Sequence, residues 1–151
     1  MINMLEKKKC LELLSENYIG HLGFISQGAP YVVPITYYYD AEHHSIISYS
    51  GEGHKIEGMR ENRLVSMEVD DIKTVNHWRS VLVQGEFEEL SGTDAKYLLH
   101  EFAEGVKRNL LKKEKESHRF IGEFSSKLST QGNPIVYRIK IAEITGKYRD
   151  G

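Results

Sequence analysis

Residues 45–69, SIISYSGEGHKIEGMRENRLVSMEV, decide how the rest of the chain is read. Residues 45–50 have the β-branched and aromatic content of a strand, and Gly51-Glu52-Gly53 breaks it. Residues 54–61 supply about two helical turns. Residues 64–69 then alternate Val65, Met67 and Val69 with Ser66 and Glu68, the period of a second strand. Strand, glycine turn and helix together put free backbone N–H groups, Lys55 and His54 at one helix N-terminus, where geometry and dipole favour an anion. The pattern GEGHK has neither the Walker spacing nor that of G-x-G-x-x-G. It admits two readings, a glycine turn before a helix with a solvated lysine, or a phosphate site. Ser48 and Ser50 lie two apart on the strand, so both hydroxyls project from one face. That favours the phosphate.

Upstream, residues 4–17 (MLEKKKCLELLSEN) carry Leu5, Cys10, Leu11 and Leu14 at helical spacing, with Asn17 as a stop. Residues 18–25 read as a strand, 26–30 as a turn and 31–39 as a second strand, forming a hairpin. Pro34 removes a ladder donor, which places its strand at an edge, at a bulge or against a ligand. Along 34–39, Ile35, Tyr37 and Tyr39 share one face and Pro34, Thr36 and Tyr38 the other. Such a segment is either a core strand with aromatic fill or a wall for a planar ring.

Downstream, residues 70–77 read as a polar connection and 78–90 as a long strand with Val81, Val83 and Phe87 on one face. Gly85 marks a bend or bulge. Thr93 is the expected N-cap of a helix over 94–109 with Leu98, Leu99, Phe102, Ala103 and Val106 on one face. Residues 110–119 are charge-rich and continue that helix or fray, 120–133 read as a loop-bearing segment, and 135–142 alternate as a last strand. About six strands with tight turns and three helices predict a mainly β fold with flanking helices, a small antiparallel barrel formed as one domain over 1–151.

The chain has 151 residues and a formal net charge of −2, with the apolar and charged content of a globular protein. No overall basicity calls for nucleic acid, and Glu114 and Glu116 interrupt the basic run 107–119. The longest apolar run is too short to cross a bilayer, and the lysines at 7–9 precede no signal-peptide core. Cys10 stands alone, which predicts a buried structural thiol and a reducing, cytoplasmic setting. The seven histidines form no metal signature, so no metal is expected. His21, His54 and His77 are the candidates if a haem needs an axial ligand. Trp78 reads as a core or interface anchor or as a stacking surface, and Arg79 as a phosphate partner or a solvated charge.

In their order and spacing, GHLGFISQGAPYVVPITYYYD (20–40), residues 45–69, WRSVLVQGEFEEL (78–90) and IVYRIKIAEITGKYRD (135–150) resemble the FMN-binding split-barrel family, the pyridoxamine 5'-phosphate-oxidase-like proteins. Within it the chain looks closest to the nitroimidazole-resistance (Nim-type) branch. The resemblance implies a six-stranded antiparallel split β-barrel. It implies FMN in a homodimer interface, with haem or a deazaflavin as the cofactor of related branches. Pro34, Ile35, Thr36 and Tyr37 would line the isoalloxazine ring. Ser48, Tyr49 and Ser50 would run toward the phosphate, His54 and Lys55 would meet it, and Trp78, Arg79 and Ser80 would complete the site from the second subunit. The activity implied is an oxidoreductase that passes electrons from a nicotinamide donor to a small-molecule substrate such as a nitroaromatic, with His54 as the catalytic candidate. A non-catalytic FMN- or haem-binding role and a pyridoxamine-phosphate oxidase activity are the alternatives. The arginine-rich oxidase signature is not evident in the sequence, which argues against the last.

Overall fold

Gln27 and Gly28 adopt φ of 51° and 78°, and the two-residue turn they form matches the twist of the strands it joins. The strands are β2 (Ile19–Ser26) and β3 (Ala29–Thr36), paired in register from Ile19↔Thr36 to Ser26↔Ala29. The structure, a computed structural model, describes residues 1–114 and 134–151. The expected loop-bearing segment 120–133 and the end of the basic run lie outside them.

The described chain runs β1 (Ile2–Met4), α1 (Lys7–Glu16), β2, β3, β4 (Tyr38–Asp40), β5 (Ser45–Ser50), α2 (His54–Glu61), β6 (Leu64–Thr74), β7 (His77–Glu89), α3 (Gly92–Lys113) and β8 (Ile135–Asp150). All strands join one antiparallel sheet in the order β3-β2-β6-β7-β8-β5-β4, with β1 on the far end of β8. The sheet is a curled, open half-barrel flanked by helices. The fold class is the one expected, but the described sheet has eight strands rather than six: β1 is not foreseen from the sequence, the last strand runs past 142 to Asp150, and further elements differ. The expected strand over 31–39 breaks at Tyr37 into β3 and β4. The expected connection over 70–77 is instead the tip of a long β6–β7 hairpin, paired out to Thr74↔His77. α3 starts at Gly92 behind an N-cap at Ser91, two residues earlier than Thr93 would place it.

Val65, Met67 and Val69 of β6 and Val81, Val83 and Phe87 of β7 are buried on the concave face, together with Leu22, Tyr137 and Ile139. α1 fills the concavity with Cys10, Leu13 and Leu14. Cys10 is buried as expected, and burial raises its thiol pKa, so the nucleophilic thiolate is disfavoured. α3 covers the opposite face of β5 and β8, where Leu98, Phe102, Val106 and Leu110 pack on Ile47 and Val136. The β7–β8 register shifts between Gln84 and Gly85. A Cβ on Gly85 would stand 2.3 Å from the Lys140 carbonyl oxygen, so only glycine lets the strands close there. Among the described residues no helix is long and apolar enough to cross a membrane.

Candidate functional site

The barrel is split between β3, which ends the sheet path with only β2 beside it, and β5. Pro34 therefore sits on an edge strand, where its missing N–H interrupts no second ladder. The Ser48 hydroxyl, itself buried, donates to the Thr36 carbonyl at 2.8 Å and ties β5 to the end of β3. Just beyond this tie a cleft of about 330 Å³ opens, lined by Pro34, Ile35, Thr36, Ser48, Tyr49, Ser50, Gly51 and Lys55. Seven of the twelve predicted cofactor residues meet there, from two strands and one helix.

Lys55 is the charge of the cleft. Among the described residues it has no ion pair or hydrogen-bond partner, and burial lowers its pKa from the ordinary 10.5. The obvious neutraliser, Glu52 in the same glycine turn, is held elsewhere. Both of its carboxylate oxygens accept from Arg60 at 2.9 Å, and Arg60 also bonds Glu89 at 2.8 and 3.1 Å. Lys55 stands in the first turn of α2, whose N-cap Gly53 offers no side-chain cap. A half-buried ammonium and uncapped helix N–H groups thus share one end of the cleft, an arrangement that favours an anion. Gly51, which lines the cleft, was legible only as a strand breaker. The Arg60–Glu52–Glu89 network had no signal in sequence spacing.

The remaining predicted residues lie apart. Tyr37 is fully buried in the core, where its hydroxyl donates to the Leu14 carbonyl at 2.6 Å, and burial raises its pKa. It does not line the cleft. Tyr49 lines the cleft, but its ring packs edge-on against Phe102 of α3, with ring centres 5.4 Å apart. His54 turns toward the β2–β3 hairpin, with Nε2 2.9 Å from Ser26 Oγ and its ring edge-on to Tyr31 at 4.6 Å. Its imidazole is not among the cleft's lining groups.

Trp78, Arg79 and Ser80 open β7. Along β8, Ser50 pairs with Ile135 while Trp78 pairs with Arg149, which separates them by about 45 Å of strand contour at ~3.3 Å per residue. Arg79 is engaged by Asp71 at 3.0 Å, and the Ser80 hydroxyl donates to Glu68 at 2.9 Å. The chain does not bring this trio to its own cleft.

A model of the pyridoxamine 5'-phosphate oxidase family matches residues 6–148. The chain belongs to that family. Its fold is that of a FAD-binding protein from Mesorhizobium loti, with a TM-score of 0.77 and 26% identity over 100% of this chain and 98% of that one. It also resembles a candidate 5-nitroimidazole antibiotic resistance protein from Bacteroides thetaiotaomicron, with a TM-score of 0.70 and 18% identity over 98% and 87% of the two chains. A curated relative, the uncharacterized protein RA0666 of Rhizobium meliloti (strain 1021), is 28% identical over 92 residues. That match spans 61% of this chain and 60% of the relative, so the chain aligns with less than two thirds of it. The split-barrel resemblance read from the sequence thus stands at the level of family and fold.

Proposed function

We propose that the cleft between β3 and β5 holds FMN, with its phosphate on Lys55 and the first turn of α2. The reading rests above all on Lys55, a half-buried cation without a partner among the described residues, beside an uncapped helix N-terminus. A phosphate there would restore the charge balance that burial disfavours, and the N–H groups would supply its hydrogen bonds. Pro34, Ile35 and Thr36 would run along the ring, their edge-strand backbone free to meet its polar rim. Tyr37 would act from behind, by holding α1 against the strand break.

We extend the proposal to a homodimer, which the placement of Trp78–Ser80 supports. Those residues can complete a cleft only on a second copy, because within one chain the length of β8 intervenes. The outer face over β2, β3, β6 and β7 supports this: α3 covers only the β5–β8 part, and among the described residues Ile19, Val32, Leu64, Ile72 and Leu82 are exposed.

Bound FMN supplies two-electron redox chemistry, and the protein supplies binding, orientation and electrostatics. The activity we propose is transfer from a nicotinamide donor, which loses a hydride, to a small acceptor. A nitroaromatic would take two electrons and two protons to its nitroso form and release water. His54 serves position rather than proton transfer, by fixing the start of α2 through Ser26. FMN titration of wild type and Lys55→Met tests the reading: tight binding in the first and a large loss in the second support it, and equal affinities would remove its basis. Turnover of a nicotinamide donor with a nitroaromatic acceptor separates an oxidoreductase from a non-catalytic flavin carrier.

A further inference from the structure

Glu52 stands between two glycines in the turn that joins β5 to α2, three residues before Lys55. Nothing lies within 4 Å of where a Cβ would stand on Gly51 or Gly53. Packing at the glycines therefore does little to hold the turn, and Glu52 ties it from outside. Arg60, in the last turn of α2, donates from Nη1 and Nη2 to the two oxygens of Glu52. Its Nε and Nη2 donate to the two oxygens of Glu89, at the end of β7. An isolated exposed ion pair holds weakly, whereas a guanidinium that forks onto two carboxylates at once fixes both.

A released Glu52 would have an obvious destination. The helix dipole, the uncapped N–H groups at the start of α2 and the Lys55 ammonium favour any anion, and a carboxylate just ahead of the helix meets all three. No other acid in the neighbourhood is as well placed. None of the residues lining the cleft is acidic. Glu57, in the first turn of α2, comes two residues after Lys55, and side chains at that spacing leave a helix on different sides. Glu52 is thus the chain's own rival to a bound phosphate.

We propose that Arg60 is a positioning residue for the anion site: by holding Glu52 toward Glu89, it keeps that carboxylate off Lys55 and the start of α2. This role rests on the reading of the cleft as an anion site and adds what keeps the chain's own carboxylate out of it. Loss of Arg60 leaves two acids without their shared counter-ion and frees the nearer one to compete. Loss of Glu52 removes the competitor, and with it the need for Arg60.

The test is FMN titration of wild type, Glu52→Gln, Arg60→Gln and the double variant, with thermal melting as the check on folding. Arg60→Gln should weaken binding about tenfold or more, the scale of one charge-assisted contact. Glu52→Gln and the double variant should both stay within about threefold of wild type. The double variant lacks the clamp as fully as Arg60→Gln does, so a mere structural brace would leave it equally weak. That result, or unchanged affinity in Arg60→Gln, would overturn the proposal. A second readout needs no flavin: NMR titration of the Lys55 side chain in the cofactor-free protein. Its midpoint should rise in Arg60→Gln, because an adjacent carboxylate favours the charged lysine, and return in the double variant. If wild type takes up no FMN while this midpoint moves as described, the FMN reading fails and the role of Arg60 stands. An unmoved midpoint would sink that role by itself.

Discussion

His54 Nε2 lies 2.9 Å from Ser26 Oγ, so the first residue of α2 is fastened to the turn that ends β2. Ser26 is buried at this contact and Tyr31 closes over the imidazole. The bond fixes where α2 begins, and with it where Lys55 and the free N–H groups point. Ser26→Ala and His54→Ala should each cost about 1 kcal/mol of stability. A double-mutant cycle in denaturant should give a coupling of about 0.5–1.5 kcal/mol, because either change removes the same bond. FMN affinity should drop only a few-fold in both. A severe loss of affinity in His54→Ala but not in Ser26→Ala would mean that the imidazole meets the cofactor itself.

Lys55→Met separates binding from folding. Among the described residues the lysine has no partner to lose, and burial works against its charge. The melting temperature of the cofactor-free variant should therefore equal or exceed that of wild type. A charge-assisted contact contributes about 1.5–3 kcal/mol, so the FMN dissociation constant should rise about 10–100-fold. Fluorescence titration reads the second quantity and calorimetric melting the first.

The same burial makes two opposite pH dependences. The folded chain releases the Lys55 proton below 10.5, whereas the unfolded chain holds it up to that value. In that window the unfolded state binds more protons, so the stability of the cofactor-free protein gains a contribution that grows as pH rises. FMN affinity should fall across the window, because the phosphate stays doubly charged while the lysine loses its charge. Lys55→Met should show neither slope attributable to this group. Melting and FMN titration at a series of alkaline pH values check both signs.

The strands and the cleft were legible to different degrees. Alternation along residues 64–69 and 78–90 set the concave face correctly, since Val65, Met67, Val69, Val81, Val83 and Phe87 are all buried. Period-two patterns report directly on which side of a sheet is dry. The tip of the β6–β7 hairpin was missed because it projects into solvent, where no face is selected by burial and residues 70–77 stay polar. Pro34, Ser50 and Lys55 were found because each bears a local signature, an edge proline, a hydroxyl beside a glycine turn, and a cation at a helix start. Tyr37 was assigned to the ring wall because aromatic fill and an aromatic wall share one sequence pattern. Only the packing of α1, with the Leu14 carbonyl in reach, separates them. The taking up of Glu52 by Arg60, which keeps that carboxylate from Lys55, depends on Glu89 from a distant strand and left no local trace.

Tyr37→Phe tests the core assignment. It removes a buried hydroxyl and leaves the Leu14 carbonyl without its 2.6 Å donor, at a cost of about 1–3 kcal/mol. FMN affinity should be nearly unchanged. Equilibrium unfolding and titration on the same preparation distinguish this from a ring-lining role, for which the affinity would fall and the stability hold.

Gly85→Ala probes the bulge that curls β7 against β8. A methyl group would meet the Lys140 carbonyl at 2.3 Å, and overpacking against backbone costs about 1–3 kcal/mol. The melting temperature should drop by several degrees, and Gly105→Ala, whose Cβ would stand 2.1 Å from the Tyr38 ring, should behave alike.

The visible absorption spectrum of the purified protein tests most directly whether the cleft at Lys55 holds FMN. The two flavin bands are expected, with FMN released on denaturation at one equivalent per chain and sharply reduced in Lys55→Met. A colourless protein that takes up no FMN on titration, or one that shows a Soret band and no flavin, would contradict it.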